Sequence, residues 1–172
     1  MFVSVLQEPR PLERGDDRSH FQSGNSEIDD WFHRFAWQNH RAGNARVFVT
    51  TQEPETLGFY ALSMGAVQRS TLPDALKPGQ LPELCPVLLL ARLAVDQRAQ
   101  GRGIGAALLK DALLRAYKLS SEVGFAALLV HCANDNAREF YLSQSSRFVP
   151  CPGAENHLML PLRAMREFID AL

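Results

Sequence analysis

The sequence has no apolar run of about 18 residues, so no segment reads as a membrane-spanning helix. Residues 1–7 alternate like a strand and carry no basic flank, which excludes a secretory signal there. Cysteine is scarce. Cys85, Cys132 and Cys151 are odd in number, and their spacing fits neither a disulfide framework nor a zinc site. A reducing, cytoplasmic setting is the simplest reading, and no metal is expected. Lysine is scarcer than the charge suggests: of 18 basic residues only Lys77, Lys110 and Lys118 are lysine. Arginine offers phosphate a planar fork of donors where lysine offers a point charge. Charge of one sign is not in excess either. The formal net charge is -1, so the molecule as a whole is no magnet for nucleic acid. Internal repeats, low-complexity tracts and inter-domain linkers are absent, and 172 residues suit one domain, 1–172, around one core. With 46% apolar and 22% charged residues, the composition is that of a globular protein.

The periodicities predict a mixed order of elements. Residues 1–7 open as a strand. The polar turn 23–26 caps a helix over 27–40, which places Ile28, Trp31, Phe32 and Phe35 on one core-facing stripe and ends at Gly43-Asn44. Residues 45–51 and 56–67 read as an antiparallel pair. Residues 69–86, rich in proline and leucine, form a long connection. A nearly continuous apolar run over 87–95 predicts a strand buried on both faces. Residues 103–120 form an amphipathic helix with Ile104, Leu108, Ala112 and Tyr117 inward. A buried strand over 125–132, a short helix over 136–143, short strands over 148–151 and 158–160, and a terminal helix over 162–172 follow. The fold class is α/β (α+β): a mixed sheet of about six or seven strands with helices on both faces.

The chemical signal lies where the 87–95 strand gives way to Asp96, residues 97–100, and then Gly101-Arg102-Gly103-Ile104-Gly105. The first N–H groups of a helix lack partners and its dipole is positive there. Glycine lets backbone approach a ligand closely, so the junction can hold a phosphate group. Three readings compete. Gly101, Gly103 and Ala106 satisfy the dinucleotide pattern G-x-G-x-x-A, but residues 97–100 intervene after the strand and Glu122 precedes the next strand instead of ending it. A tight turn without a ligand is the second. The third is Gln-x-x-Gly-x-Gly, supplied by Gln100, Gly103 and Gly105.

That third pattern resembles the pyrophosphate loop of the GNAT acetyltransferases, and the run from His131 through Asn136 and Glu139-Phe140-Tyr141 is similar to their second strand, polar turn and tyrosine helix. The resemblance implies a GNAT fold and acetyl-CoA as cofactor. It implies that the backbone of Leu93, Ala94 and Val95 meets the pantetheine arm, and that Gln100, Gly101, Arg102, Gly103, Ile104 and Gly105 hold the pyrophosphate. Asn136 would contact the cofactor and Tyr141 would protonate the departing thiolate. His131 and Glu139 are both candidates to take the proton of the attacking amine.

A narrower likeness runs through Ser23-Gly24, Ile28 to Phe32, Ala36, Asn39, Phe48-Val49, residues 58–62, residues 91–96, residues 148–150 and residues 158–162. It resembles the GNAT toxins of bacterial type II toxin–antitoxin systems. This implies acetylation of the α-amino group of aminoacyl-tRNA, a block of translation, and a ribbon-helix-helix antitoxin as partner. Arg92 would then sit in the acceptor cleft, and Arg34, Arg41 and Arg46 would meet tRNA phosphates. One departure stands out: the family's tyrosine helix commonly ends in Gly-Phe, whereas here residues 142–147 hold no glycine and Arg147 precedes Phe148. A GNAT enzyme for a small amine, a peptide or a protein amine is the alternative, and a catalytically silent CoA-binding module a third. Exposed edge strands and Trp37 leave room for a homodimer.

Overall fold

The computed structural model describes residues 4–76 and 81–171. These hold seven strands, β1 (Arg10–Pro11), β2 (Arg46–Gln52), β3 (Glu55–Gln68), β4 (Leu84–Val95), β5 (Ala127–His131), β6 (Val149–Cys151) and β7 (Ala154–Pro161). The α-helices are α1 (Ser26–Arg34), α2 (Ala36–Ala42), α3 (Ile104–Leu119), α4 (Asp135–Gln144) and α5 (Leu162–Asp170). Parallel and antiparallel pairings both occur, so the fold is the mixed α/β class expected. The residues fall into two compact units, one through Ser63 plus Arg92–Ala112, the other Met64–Ala91 plus the chain from Leu113.

In the first unit, β2 lies antiparallel between β1 and β3. Alternation along β3 sends Gly58 and Phe59 to opposite faces. Phe59 packs into a buried cluster with Phe21, Phe32, Ala36, Val47 and Val49, which seats α1 and α2. Gly58 faces α3. A Cβ there would lie 2.8 Å from a methyl of Leu108 and 3.2 Å from one of Ile104, so only glycine lets the first turns of α3 come so close. Helices therefore cover both faces of this unit's strands, as predicted.

The N-terminal strand expected over 1–7 is not found. Residues 1–3 lie outside the described residues, and residues 4–7 make a single ladder-like bond, Gln7 N–H to the Thr51 carbonyl at 2.7 Å. The first strand is Arg10–Pro11, where proline, lacking an N–H, sits at the edge of the pairing. The helix expected over 27–40 is two. Asn25 caps α1 by accepting from the N–H groups of Glu27 (3.1 Å) and Ile28 (3.2 Å). Phe35 then leaves helical geometry at φ −121°, ψ −19°, and α2 begins one residue later. The break turns Ala36 into the core and Phe35 out, 41% exposed instead of inward. Gly43 ends α2 in the left-handed region, φ 80°.

In the second unit, β4 and β5 run parallel through Leu88–Leu128, as a crossover connection requires. β7 lies antiparallel to both β5 and β6. Val87, Ala127, Leu129, Cys151 and Met159 form one buried face with Leu72 and Cys85. The expected strand over 158–160 is longer, Ala154–Pro161, because pairing recruits polar residues: Cys132 N–H donates to the Asn156 carbonyl at 2.7 Å. The connection 69–86 contains short 3-10 turns at Arg69–Thr71 and Asp74–Leu76, and its residues 77–80 lie outside the described residues. β4 is not buried on both faces throughout. Val87, Leu88 and Leu90 are, whereas Ala91, Arg92, Leu93 and Val95 are half-buried. Three chain segments, β3, β4 and α3, run from one unit into the other.

Candidate active site

The glycine loop is built on the first unit by a buried carboxylate. Asp96 follows β4 with 1% of its side chain exposed. It accepts four hydrogen bonds: from Gln22 N–H (3.0 Å), Arg98 N–H (2.9 Å), Arg98 Nε (2.8 Å) and Arg98 Nη2 (3.1 Å). Burial pushes this carboxyl up, but Arg98 and the two backbone donors outweigh burial and hold it below the ordinary carboxylate range. Arg98 also pairs with Glu55 at 2.9 Å. The carboxylate thereby caps the 3-10 turn Gln97–Ala99 and aims the chain at Gly101.

Gln100 is a strut. Its Nε2 donates to the Ser23 carbonyl (2.9 Å) and to the Val95 carbonyl (3.1 Å). Gln97 N–H donates to the Gln22 carbonyl at 2.8 Å. Gly24, at φ +99°, approaches so closely that a Cβ would meet Gln97 Nε2 at 2.9 Å. Ser23 in turn gives its hydroxyl to Asp29 of α1 at 2.6 Å. Residues 22–24 thus brace the loop from outside. This brace was not predicted. The signal for Asp96 was present, since an aspartate just after a strand commonly bonds the N–H two residues on. Gln22 takes part only through its backbone, which leaves no trace in sequence.

Beyond the brace, Gly101 and Gly103 adopt φ +81° and +78°. A Cβ on either would meet no atom within 4 Å, so backbone conformation alone demands glycine, and the space above both is open. The first hydrogen bond of α3 is Ala107 N–H to the Gly103 carbonyl at 3.1 Å. The N–H groups of Ile104, Gly105 and Ala106 precede it and have no acceptor inside the helix. Open space, a bare backbone and a positive helix terminus suit a pyrophosphate. Arg102 is exposed beside it and donates to Gln52 Oε1 at 3.3 Å. On β4, Leu93 and Val95 are half-buried and Ala94 is buried. Gln100 donates to the Val95 carbonyl, which ties the end of β4 to the loop.

Tyr141 and Asn136 belong to the second unit, on α4. Asn134 caps this helix by accepting from Ala137 N–H at 2.9 Å, and Asn136 is exposed in its first turn. Tyr141 is 3% exposed, with its ring against Phe140 (5.2 Å between centroids) and Phe148 (5.7 Å). Burial, and then the neighbouring Cys132, push its phenol well above the ordinary tyrosine range, so it stays protonated. The missing Gly-Phe exit has a physical reason. The chain leaves α4 through Ser145 at φ −155°, ψ 134°, extended backbone that any residue adopts. Phe148 still reaches Tyr141, and Arg147 turns outward to Glu167 at 2.6 Å.

His131 is exposed and meets His157 edge-on at 5.1 Å; burial, then His131, lowers the pKa of His157. Glu139 is exposed. Among the arginines, Arg34 pairs with Asp30 at 3.4 Å, and Arg46 donates to the His40 carbonyl at 2.9 Å. Arg41 is exposed at the end of α2. Arg92 lies over the ring of Trp31, 4.2 Å from its centre.

Residues 43–144 match the acetyltransferase (GNAT) domain. The chain is 39% identical over 167 residues, 97% of its own length and 99% of the relative's, to the tRNA-acetylating toxin of Mycobacterium tuberculosis (strain ATCC 25618 / H37Rv). It is similar in structure to AtaT complexed with acetyl-methionyl-tRNAfMet, with a TM-score of 0.85 and 27% identity over 95% of this chain and 98% of that one. A tyrosine-to-phenylalanine mutant of AtaT bound to the C-terminus of the antitoxin AtaR and acetyl-CoA matches with a TM-score of 0.81 and 25% identity, over 96% and 99%. With a glycine loop opening α3 and a family match across more than half its length, this chain belongs to the GNAT acetyltransferases.

Proposed function

We propose that the protein is a toxin that transfers acetyl from acetyl-CoA to the α-amino group of aminoacyl-tRNA and so blocks translation. The observation that carries the acceptor is the near full-length identity to a tRNA-acetylating toxin. The cofactor reading rests on the loop: two glycines in the left-handed region deliver open backbone to the start of α3. We take the two units as parts of one catalytic domain, since three chain segments run through both. No helix among the described residues is long and apolar enough to cross a membrane. Three free, buried cysteines favour a cytoplasmic site of action. A ribbon-helix-helix antitoxin is the expected partner.

Acetyl-CoA supplies an activated acetyl thioester. The N–H groups of Ile104, Gly105 and Ala106 receive the pyrophosphate, and Arg102 adds a cation at its rim. Gln100 and Asp96 hold the loop in place without spending those donors. Leu93, Ala94 and Val95 offer β4 backbone to the pantetheine arm, and Asn136 a polar contact from α4. Tyr141, kept neutral by burial, gives its Oη proton to the departing sulfur. Arg34, Arg41 and Arg46 meet tRNA phosphates, and Arg92 the acceptor itself.

The test is transfer of radiolabelled acetyl from acetyl-CoA to a pool of charged tRNA, beside uncharged tRNA, free amino acids, polyamines and a peptide. Label on charged but not uncharged tRNA is expected. Label on small amines or the peptide alone would leave a GNAT enzyme of another specificity and remove the toxin reading.

A further inference from the structure

A column of flat groups rises through the first unit. Phe32 stacks on Phe59 with centroids 4.1 Å apart and rings 9° from parallel. Trp31 lies 15° from parallel to Phe59 at 6.2 Å. The guanidinium carbon of Arg92 then lies 4.2 Å from the Trp31 ring centre. Phe32 and Phe59 are fully buried, whereas Trp31 and Arg92 are half-buried. The column leads from core to surface and ends in a cation.

Arg92 differs from the arginines around it. Arg10 is paired with Asp16, Arg98 with Asp96 and Glu55, Arg34 with Asp30. The Arg92 side chain makes no hydrogen bond and no ion pair with any described residue. Its nearest opposite charge, Glu27, acts only at longer range, and burial pulls the guanidinium pKa below its ordinary value. A partly desolvated, unpaired cation lowers stability, and stacking on Trp31 recovers only part of that loss. Such an arrangement fits a ligand better than it fits a core.

The geometry narrows the ligand. The guanidinium carbon sits over the indole, 4.2 Å from the ring centre, so that side of the group is covered and its donors are left for the other sides. A guanidinium fork matches two oxygens of a phosphate, where lysine would offer only a point charge. Because Arg92 is half-buried, the ligand must come in to it, which favours an unpaired strand over a duplex. Single-stranded RNA ends are held by phosphate contacts and flat cationic or aromatic surfaces.

We propose that Arg92, held over the ring of Trp31, clamps a phosphodiester of the unpaired 3′ end of the acceptor RNA. The proposal rests on the reading that the acceptor is aminoacyl-tRNA. It also gives Trp31 a task beyond core packing: the indole supports the cation of the clamp.

Fluorescence anisotropy with two labelled RNAs tests it: a hairpin with an unpaired 3′ end and the same hairpin cut blunt. Arg92→Gln should weaken binding of the first by roughly tenfold and reduce the salt dependence, the slope of log K against log salt, by about 0.7. Blunt-hairpin binding and acetyl-CoA binding should not change. Arg92→Lys should keep the slope and still lose affinity, since the charge remains and the planar fork does not; it also serves if Arg92→Gln folds poorly. An unchanged slope in Arg92→Gln, or equal losses on both hairpins, would overturn the clamp while leaving tRNA acetylation standing. A wild-type protein that ignores both hairpins and acetylates only peptides or small amines would overturn the clamp and the acceptor reading together.

Discussion

The acid role proposed for Tyr141 depends on its environment. A phenol could serve a departing thiolate only while it holds its proton, and burial against Phe140 and Phe148 keeps it protonated. Tyr141→Phe keeps the ring and removes the proton donor. Turnover should fall by about a hundredfold or more, the usual scale of acid catalysis, while acetyl-CoA binding by calorimetry stays near the wild-type value. A similar loss in both would make Tyr141 a packing residue. Because the phenol's pKa is raised, the rate should climb with pH as the acceptor amine loses its proton, with no downturn from Tyr141 below about pH 10.

The glycine loop and its supports work as an element, and the side chains that shape it face away from the proposed ligand. Gly58 on β3 sets how near α3 approaches. Gly58→Ala forces the Leu108 methyl aside; a cost of about 1–3 kcal/mol is expected from overpacking. Thermal unfolding would read that cost. KM for acetyl-CoA should rise with it, since the start of α3 carries the proposed pyrophosphate donors. An unchanged KM would separate α3 placement from cofactor binding. Asp96 acts from the other side. Its carboxyl sits below the ordinary range when folded, so its contribution is present above the unfolded pKa of about 3.9 and is lost as pH falls through the folded value. Asp96→Asn should cost about 1–2 kcal/mol at neutral pH, discounted because Arg98 is 43% exposed. Melting temperatures down a pH series should show a smaller acid loss in the variant than in the wild type; parallel curves would rule out Asp96 as the titrating group.

For the whole molecule, a net charge of -1 means that the proposed attraction to tRNA must come from local arginines and not from an overall field. Binding of charged tRNA should weaken steeply with added salt, by a slope of about 0.7–0.9 per phosphate contacted. A filter-binding series across salt checks this, and a flat response would place recognition on uncharged contacts.

Much of this was written in local pattern. The α3 amphipathic stripe, the apolar runs of β4 and β5, and the glycines at 101 and 103 obey rules that act over a few residues, so their elements and the loop were legible in order. The longer β7 and the half-open end of β4 were not, because strand extent is decided by the neighbour that completes the hydrogen bonds. Phe35 obeyed the helical stripe and still points out, since packing of Phe32 and Ala36 against Phe59 left it no room inside. The residues around the loop divide the same way. Gln100 was visible as part of a pattern, but its use as a strut between Ser23 and Val95 depends on a segment some distance away in sequence. The Gln22–Asp96 bond and the Arg92–Trp31 contact exist only because folding brings separate segments together, and burial then gives each charge its partner or withholds it.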